Sequence, residues 1–268
     1  MLDGGDRPAP ARRASMNRPD RSPGGRSVVR VAATADLHCP RTPAEVLESL
    51  LRKASDEADV LLLCGDLTDR GLKDEARTLA RLLESAVRVP VVAVLGNHDF
   101  DAGRAEAVGS TLAAIGVHLL DGDPVEAAGV GFAGAKGFGG GFGDRALQPW
   151  GEETIKRFVH EAVDEALKLE SALAKLRTAA RVAVLHYAPV EDTVKGEPPE
   201  IYAFLGSSRL EEPLTRYPVT AIFHGHAHGG SLEGRTRTDV PVYNVALPLL
   251  ARSFPDRPGF RVIELPAP

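Results

Sequence analysis

Cysteine is scarce: Cys39 and Cys64 are the two thiols among 268 residues. A disulfide framework is therefore not the basis of the fold, and no thiolate set exists for a structural zinc site of the usual cysteine kind. Long apolar runs are missing as well. No stretch has the length and apolarity of a membrane span or signal-peptide core, so no membrane partner is expected and a reducing cytoplasm is the default compartment. Positive charge is in deficit: 32 Lys and Arg stand against 37 Asp and Glu, a formal net charge of −5. That balance weighs against a nucleic-acid partner, which draws a basic face. A glycine-rich phosphate loop of fixed spacing is also absent.

What remains is the composition of one globular domain, 43% apolar and 26% charged. Residues 1–26 are rich in Arg, Pro, Gly, Ser and Asp without hydrophobic period, and read as a flexible tail. Residues 27–268 form the domain. A first strand, Val28 to Ala33, runs into Asp36-Leu37-His38. Thr42-Pro43 opens a helix to about Glu57. The run Val60-Leu61-Leu62-Leu63 reads as a buried parallel strand and stops at Gly65-Asp66. A helix over about 72–86 precedes the strand 90–95, which ends in Gly96-Asn97-His98-Asp99. After a helix near 102–114 come short strands at 117–119 and 130–133. The longest helix, about 151–176, carries an apolar stripe from Ile155 to Leu176 that serves as core or as a homodimer face. The strand 181–185 then ends in His186, and 219–223 ends in His224-Gly225-His226-Ala227-His228. Strands near 240–245 and 260–265 close the chain, read together as part of a second sheet. Strands alternating with helices, with polar residues at each strand end, are the pattern of an α/β layered fold.

The strand ends deliver Asp36, His38, Asp66, Asn97, His98, His186, His226 and His228, with His224 and Asp69 close by in sequence. Imidazole and carboxylate donors suit zinc, iron or manganese. Eight groups exceed what one ion uses while keeping an open position. Two ions fit better, and two ions close together need a bridging carboxylate. The isolated His118 and His160 read instead as hydrogen-bonded core residues.

Taken in order, Asp36-x-His38, Gly65-Asp66-x-x-Asp69, Gly96-Asn97-His98-Asp99, His186 and Gly225-His226-x-His228 resemble the signature of the calcineurin-like metallophosphoesterases. The resemblance implies a four-layer α-β-β-α sandwich, two mixed sheets flanked by helices, around a binuclear centre. It also implies ligand sets. Asp36, His38, Asp66 and His228 would hold one metal, Asp66, Asn97, His186 and His226 the other, and Asp66 would bridge them. His98 would lie beside the scissile phosphate.

The expected reaction is hydrolysis of a phosphoester by a hydroxide bridging two divalent or trivalent ions. His98 would protonate the leaving oxygen or steady the phosphoryl charge, and Asp99 would orient its ring. Lys136, within the glycine-rich stretch 134–143, and Arg209, after Gly206-Ser207-Ser208, are candidate substrate cations. Asp69-Arg70-Gly71 is similar to a segment of Ser/Thr protein phosphatases. However, Asp99 stands where that branch has glutamate, and His186-Tyr187 replaces its His-Gly-Gly. The Gly-His-Ala-His form resembles bacterial phosphodiesterase branches, so a small-molecule or nucleotide diester is the expected substrate. A phosphomonoesterase or nuclease of the same fold is the alternative enzyme. A catalytically silent, metal-stabilised binding scaffold is the alternative of another class, and activity on a monoester or diester with metals restored separates it from the others.

Overall fold

The computed structural model describes residues 28–267, and the N-terminal segment 1–26 read above as a tail lies outside them. Two sheets carry the fold. The first has the strand order β11-β1-β2-β3-β4, made of β1 (Val28–Thr34), β2 (Val60–Cys64), β3 (Val91–Val94), β4 (His118–Leu119) and β11 (Arg261–Pro266). The second has the order β5-β6-β7-β8-β10-β9, made of β5 (Val125–Ala127), β6 (Val130–Gly134), β7 (Arg181–Val184), β8 (Ala221–His224), β9 (Glu233–Arg235) and β10 (Pro241–Asn244). In each sheet four strands run parallel; β11 closes one edge of the first sheet antiparallel, and β5 and β9 close both edges of the second.

Side chains along a strand alternate between faces, and here both faces are buried. Val60, Leu62 and Cys64 of β2 face the opposite sheet, where they join Val92, Val94, Phe132, Val182, Val184 and Phe223. Leu61 and Leu63 face outward onto α1 (Ala44–Glu57), α2 (Lys73–Ala86) and α3 (Ala105–Ala113). Ala133, Ala183 and Ile222 of the second sheet likewise meet α4 (Glu153–Lys175) and α6 (Glu211–Arg216). Two short helices, α5 (Tyr202–Leu205) and α7 (Leu247–Ser253), complete the chain. The layers are thus helix, sheet, sheet, helix. The stripe on α4 is core: Val159, Ala162, Leu169 and Leu173 are fully covered within the chain.

Two readings are corrected. The final strand does not lie in the second sheet: β11 pairs antiparallel with β1 from Val28↔Pro266 to Ala33↔Arg261. Backbone pairing across that edge satisfies the otherwise bare donors of β1, a demand that side-chain pattern does not register. His118 and His160 are exposed rather than core.

The parallel strands bring their carboxyl ends to one rim, and the sheets are stitched together there. Ala35 N–H donates to the Val245 carbonyl at 3.0 Å, and Leu247 N–H donates to the Ala35 carbonyl at 3.0 Å. Packing between the sheets supports this rim. Phe132→Ala, at a fully buried inter-sheet position, is predicted to destabilise the chain by about 3–5 kcal/mol in urea unfolding. Leu167→Ala on the exposed face of α4 should cost no more than about 0.5 kcal/mol.

Candidate metal centre

Each polar side chain at the rim is set by a sharp reversal just after its strand. Asp36, His38, Asp66 and His226 take positive φ of 57°, 43°, 49° and 68°, four of the six such non-glycine residues among the described residues. That conformation is costly for L-residues, on the order of 1 kcal/mol or more each, and Asp and His tolerate it better than most. Strain gathered on these four marks them as a unit. Glycine precedes Asp66, Asn97 and His226, where a side chain would fill the site. A Cβ at Gly65 would overlap the His186 ring, one at Gly96 would overlap Asp66, and one at Gly225 would stand 2.6 Å from Asp36 Oδ2.

Two clusters result. Donor atoms of Asp36, His38 and His228 lie within 4.8 Å of one another, and so do those of Asp66, His186 and His226. Asp66 stands between them, with Oδ2 at 3.8 Å from His38 Nε2 and Oδ1 at 3.4 Å from His186 Nε2. Asn97 Oδ1 is 2.9 Å from the same His186 nitrogen. His228 Nε2 approaches Asp36 Oδ1 at 2.9 Å, and the His226 amide donates to Asp36 Oδ2 at 3.0 Å.

The electrostatics are those of buried charge. Burial raises the cost of ionising Asp36 and Asp66, yet neighbouring imidazoles hold both carboxyls below the usual range: chiefly a hydrogen bond from His228 for Asp36, and the charge of His186 for Asp66. Burial likewise opposes a charged His186, but the Asp66 carboxylate outweighs it and the pKa rises to about 9. For His38 and His226 burial prevails, and both fall to about 4.

The fit to metal rests on His38. It is 2% exposed, and neither ring nitrogen has a hydrogen-bond partner. A buried imidazole left this way is costly unless a cation takes its lone pair. Two further rings are held through one nitrogen by a backbone carbonyl: His186 Nδ1 donates to Cys64 at 2.9 Å, which turns its Nε2 toward Asn97 and Asp66, and His226 Nε2 donates to Phe204 at 3.1 Å. The donor set therefore fits divalent or trivalent ions.

Other expected residues fall differently. His98 forms a third, overlapping group with His38 and Asp66, donor atoms again within 4.8 Å of one another, and its ring is 4.6 Å from that of His38. Its Nδ1 donates to the Asp69 carbonyl at 2.8 Å. The orienting group is thus Asp69, not Asp99. The Asp99 carboxylate instead accepts from the amides of Leu67, Thr68 and Gly96 and from the Thr68 hydroxyl, tying together the loops after β2 and β3. Burial pushes its pKa up. Asp69 also stands 3.5 Å behind His38 Nδ1 and pairs with Arg41 at 3.2 Å. His224 is structural, bonded to Thr193 Oγ1 at 2.7 Å and to the Gly225 carbonyl at 2.8 Å.

The Lys136 ammonium is bound to the Gly137 carbonyl at 2.8 Å and faces Glu161 at 3.5 Å. Arg209 is not delivered to the clusters. Its guanidinium donates to the Leu147 carbonyl, and it lines a groove with Val163, Leu167 and Glu170 of α4. The glycine-rich stretch packs on the backbone near α5, with Gly140 N–H donating to Ala203 and Gly141 N–H to Gly206. Both cysteines are buried free thiols, raised by burial, Cys39 to about 11. Sequence reading missed Glu165, whose buried carboxylate on α4 accepts the Gly137 amide at 2.8 Å. Its only signal was a charge within an apolar stripe.

A helix-sheet-sheet-helix sandwich with imidazole and carboxylate donors massed at one rim defines the class of metal-dependent hydrolases. The sequence profile of calcineurin-like phosphoesterase matches residues 29–230, and the chain belongs to that family of phosphoric ester hydrolases. Among curated proteins it is similar to the UDP-2,3-diacylglucosamine hydrolases of Bordetella parapertussis, Bordetella bronchiseptica and Bordetella pertussis. The match is 39% identical over 99 residues, 32% of this chain and 36% of each relative. The chain thus spans about a third of the length of the curated relatives it matches. Two solved structures share the fold. TT1561 of Thermus thermophilus superposes with a TM-score of 0.52 at 16% identity, covering 90% of this chain and 100% of that one. GAP50, the anchor in the inner membrane complex of Plasmodium, gives 0.51 at 12% identity, covering 83% and 73%. No helix among the described residues is long and apolar enough to cross a membrane.

The tight packing at Gly96 gives a direct check. Gly96→Ala is predicted to displace Asp66 and to lower the metal content per chain, measured by plasma emission spectroscopy on folded protein. Metal content equal to the parent's would contradict the packing argument.

Proposed function

We propose that this chain is a phosphodiesterase acting on a small-molecule or nucleotide ester at a two-metal centre. In this reading Asp36, His38, Asp66 and His228 hold one ion, and Asp66, Asn97, His186 and His226 hold the other. The observation that carries it is the position of Asp66, whose two oxygens face different histidines, His38 and His186. Bound manganese, iron or zinc would supply charge to the phosphoryl oxygens and lower the pKa of a coordinated water. The UDP in the names of the Bordetella relatives is in keeping with a nucleotide-type substrate.

The chain's own groups then have definite work. Asp36 and Asp66 are ionised at neutral pH and balance the positive charge of the ions. As a ligand His186 would bind through its neutral form, so loading would release any proton that Asp66 holds on it in the metal-free chain. His98 is partly exposed and borders a cleft shared with Arg41, Arg70 and Asp101. Its Nδ1 proton is committed to the Asp69 carbonyl. Nε2 is the nitrogen left to give a proton to the leaving oxygen or to bond a phosphoryl oxygen. Asp69 is accordingly a positioning residue, holding His98 by its carbonyl and standing behind His38 with its carboxylate. The domain 27–268 is read as the unit that carries this activity.

His98→Ala is predicted to keep the metal content of the parent and to lower kcat on a phosphodiester by about 10²–10⁴. Metal analysis and steady-state kinetics on the same preparation test it. Turnover at the parent rate would remove His98 from the reaction.

A further inference from the structure

A cavity of about 400 Å³ is lined by residues of α3 and α4, by Leu95 and Leu119 at the ends of β3 and β4, and by Phe100 and Lys136. We infer that this cavity receives the organic part of the leaving alcohol, and that it selects an uncharged or cationic group over an anionic one. The inference rests on the phosphoesterase reading above.

Three observations carry it. The first is position. Phe100, in the cavity wall and 45% exposed, ends the single turn Asn97–Phe100 that also carries His98. On the other side Lys136 lines the cavity, and its carbonyl accepts the amide protons of His186 and Tyr187 at 3.0 and 3.1 Å. The cavity wall thus stands two residues along the chain from His98 and one backbone hydrogen bond from His186.

The second observation is shape. The inner surface includes Leu95, Leu119 and Leu120 as well as Phe100. Small-molecule pockets run from about 300 to 1,000 Å³ with a mostly apolar lining and a few polar groups. A volume near the lower end suits one ring-sized group rather than a polymer.

The third observation is charge. Four carboxylates, Glu106, Asp121, Glu161 and Glu165, line the cavity against two lysines. Both lysines are already engaged. Lys168 bridges Asp121 at 2.8 Å and Glu165 at 2.9 Å. Lys136 is held by the Gly137 carbonyl and Glu161, with its ammonium 4.7 Å from the Phe138 ring centroid and 5.5 Å from those of Phe100 and Tyr187. An anionic group entering here meets carboxylate oxygens with no cation to spare among the lining residues. An ammonium or N–H donor meets acceptors and the Phe100 face. A leaving group that carries a further phosphate, as in a nucleic-acid strand, is disfavoured by the same charges.

The test uses the metal-loaded chain and three methyl aryl phosphates with para-aminomethyl, para-methyl and para-carboxylate leaving phenols. KM is compared, because phenol acidity acts mainly on kcat. The aminomethyl ester is expected to show a KM lower than the carboxylate ester's by about tenfold or more, with the methyl ester between them. Glu106→Lys, a change at an exposed position, should narrow that gap. KM values equal within about twofold, or lower for the carboxylate, would overturn the inference and leave the phosphoesterase reading standing. Failure to hydrolyse any of the three with metals bound would overturn both.

Discussion

A carboxylate that is 1% exposed governs this structure. Removing Asp66 from water is expensive, and the cost is bearable only if positive charge or hydrogen-bond donors close around it. The His98 amide donates to Oδ1 at 2.8 Å, and His186 brings charge to within 3.4 Å of the same oxygen. Lone pairs that remain after these partners, together with the bare nitrogens of His38, are what metal ions would satisfy. The surrounding geometry follows from that need. Asp66 reaches its position through a left-handed turn, and Gly65 and Gly96 lack side chains because the space is filled by His186 and Asp66.

The sandwich exists in a form that serves this rim. Parallel strands send their carboxyl ends the same way, so short turns after β1, β2, β3, β7 and β8 converge without long connections. The inter-sheet core of Val, Leu and Phe fixes the spacing of the two sheets. The hydrogen bonds through Ala35 join them where the ligands stand. Strain at Asp36, His38, Asp66 and His226, on the order of 4 kcal/mol or more in total, is sizeable against a typical domain stability of about 5–15 kcal/mol. Metal bound there, as proposed, would offset it and couple the stability of the rim to its occupancy.

Much of this was legible in the sequence because each feature is local. An apolar run ending in Gly-Asp is visible as such, and so are Gly-Asn-His-Asp and Gly-His-Ala-His. What was not legible depends on distant partners. β11 belongs beside β1 through backbone pairing across 228 to 238 residues, as the Ala33–Arg261 and Val28–Pro266 pairs show. Asp99 was read as the partner of its neighbour His98, but its carboxylate turns to Thr68 and Leu67 on another loop. Asp69, 29 residues away in sequence, supplies the carbonyl instead. Arg209 follows a plausible anion-binding run and lies on the outer face of α4. Glu165 carries no local signal of its role beyond a charge within an apolar stripe, because its partner, the Gly137 amide, lies 28 residues away in sequence.

The central claim is that Asp66 is shared by two ions while each other ligand serves one. Calorimetric titration of the metal-free chain with Mn²⁺ tests it most directly, on the parent, Asp66→Ala and His186→Ala. The account predicts two ions per chain for the parent, one for His186→Ala and none bound tightly for Asp66→Ala, with circular dichroism confirming that all three are folded. A folded Asp66→Ala variant that still binds two ions at parental affinity would contradict it.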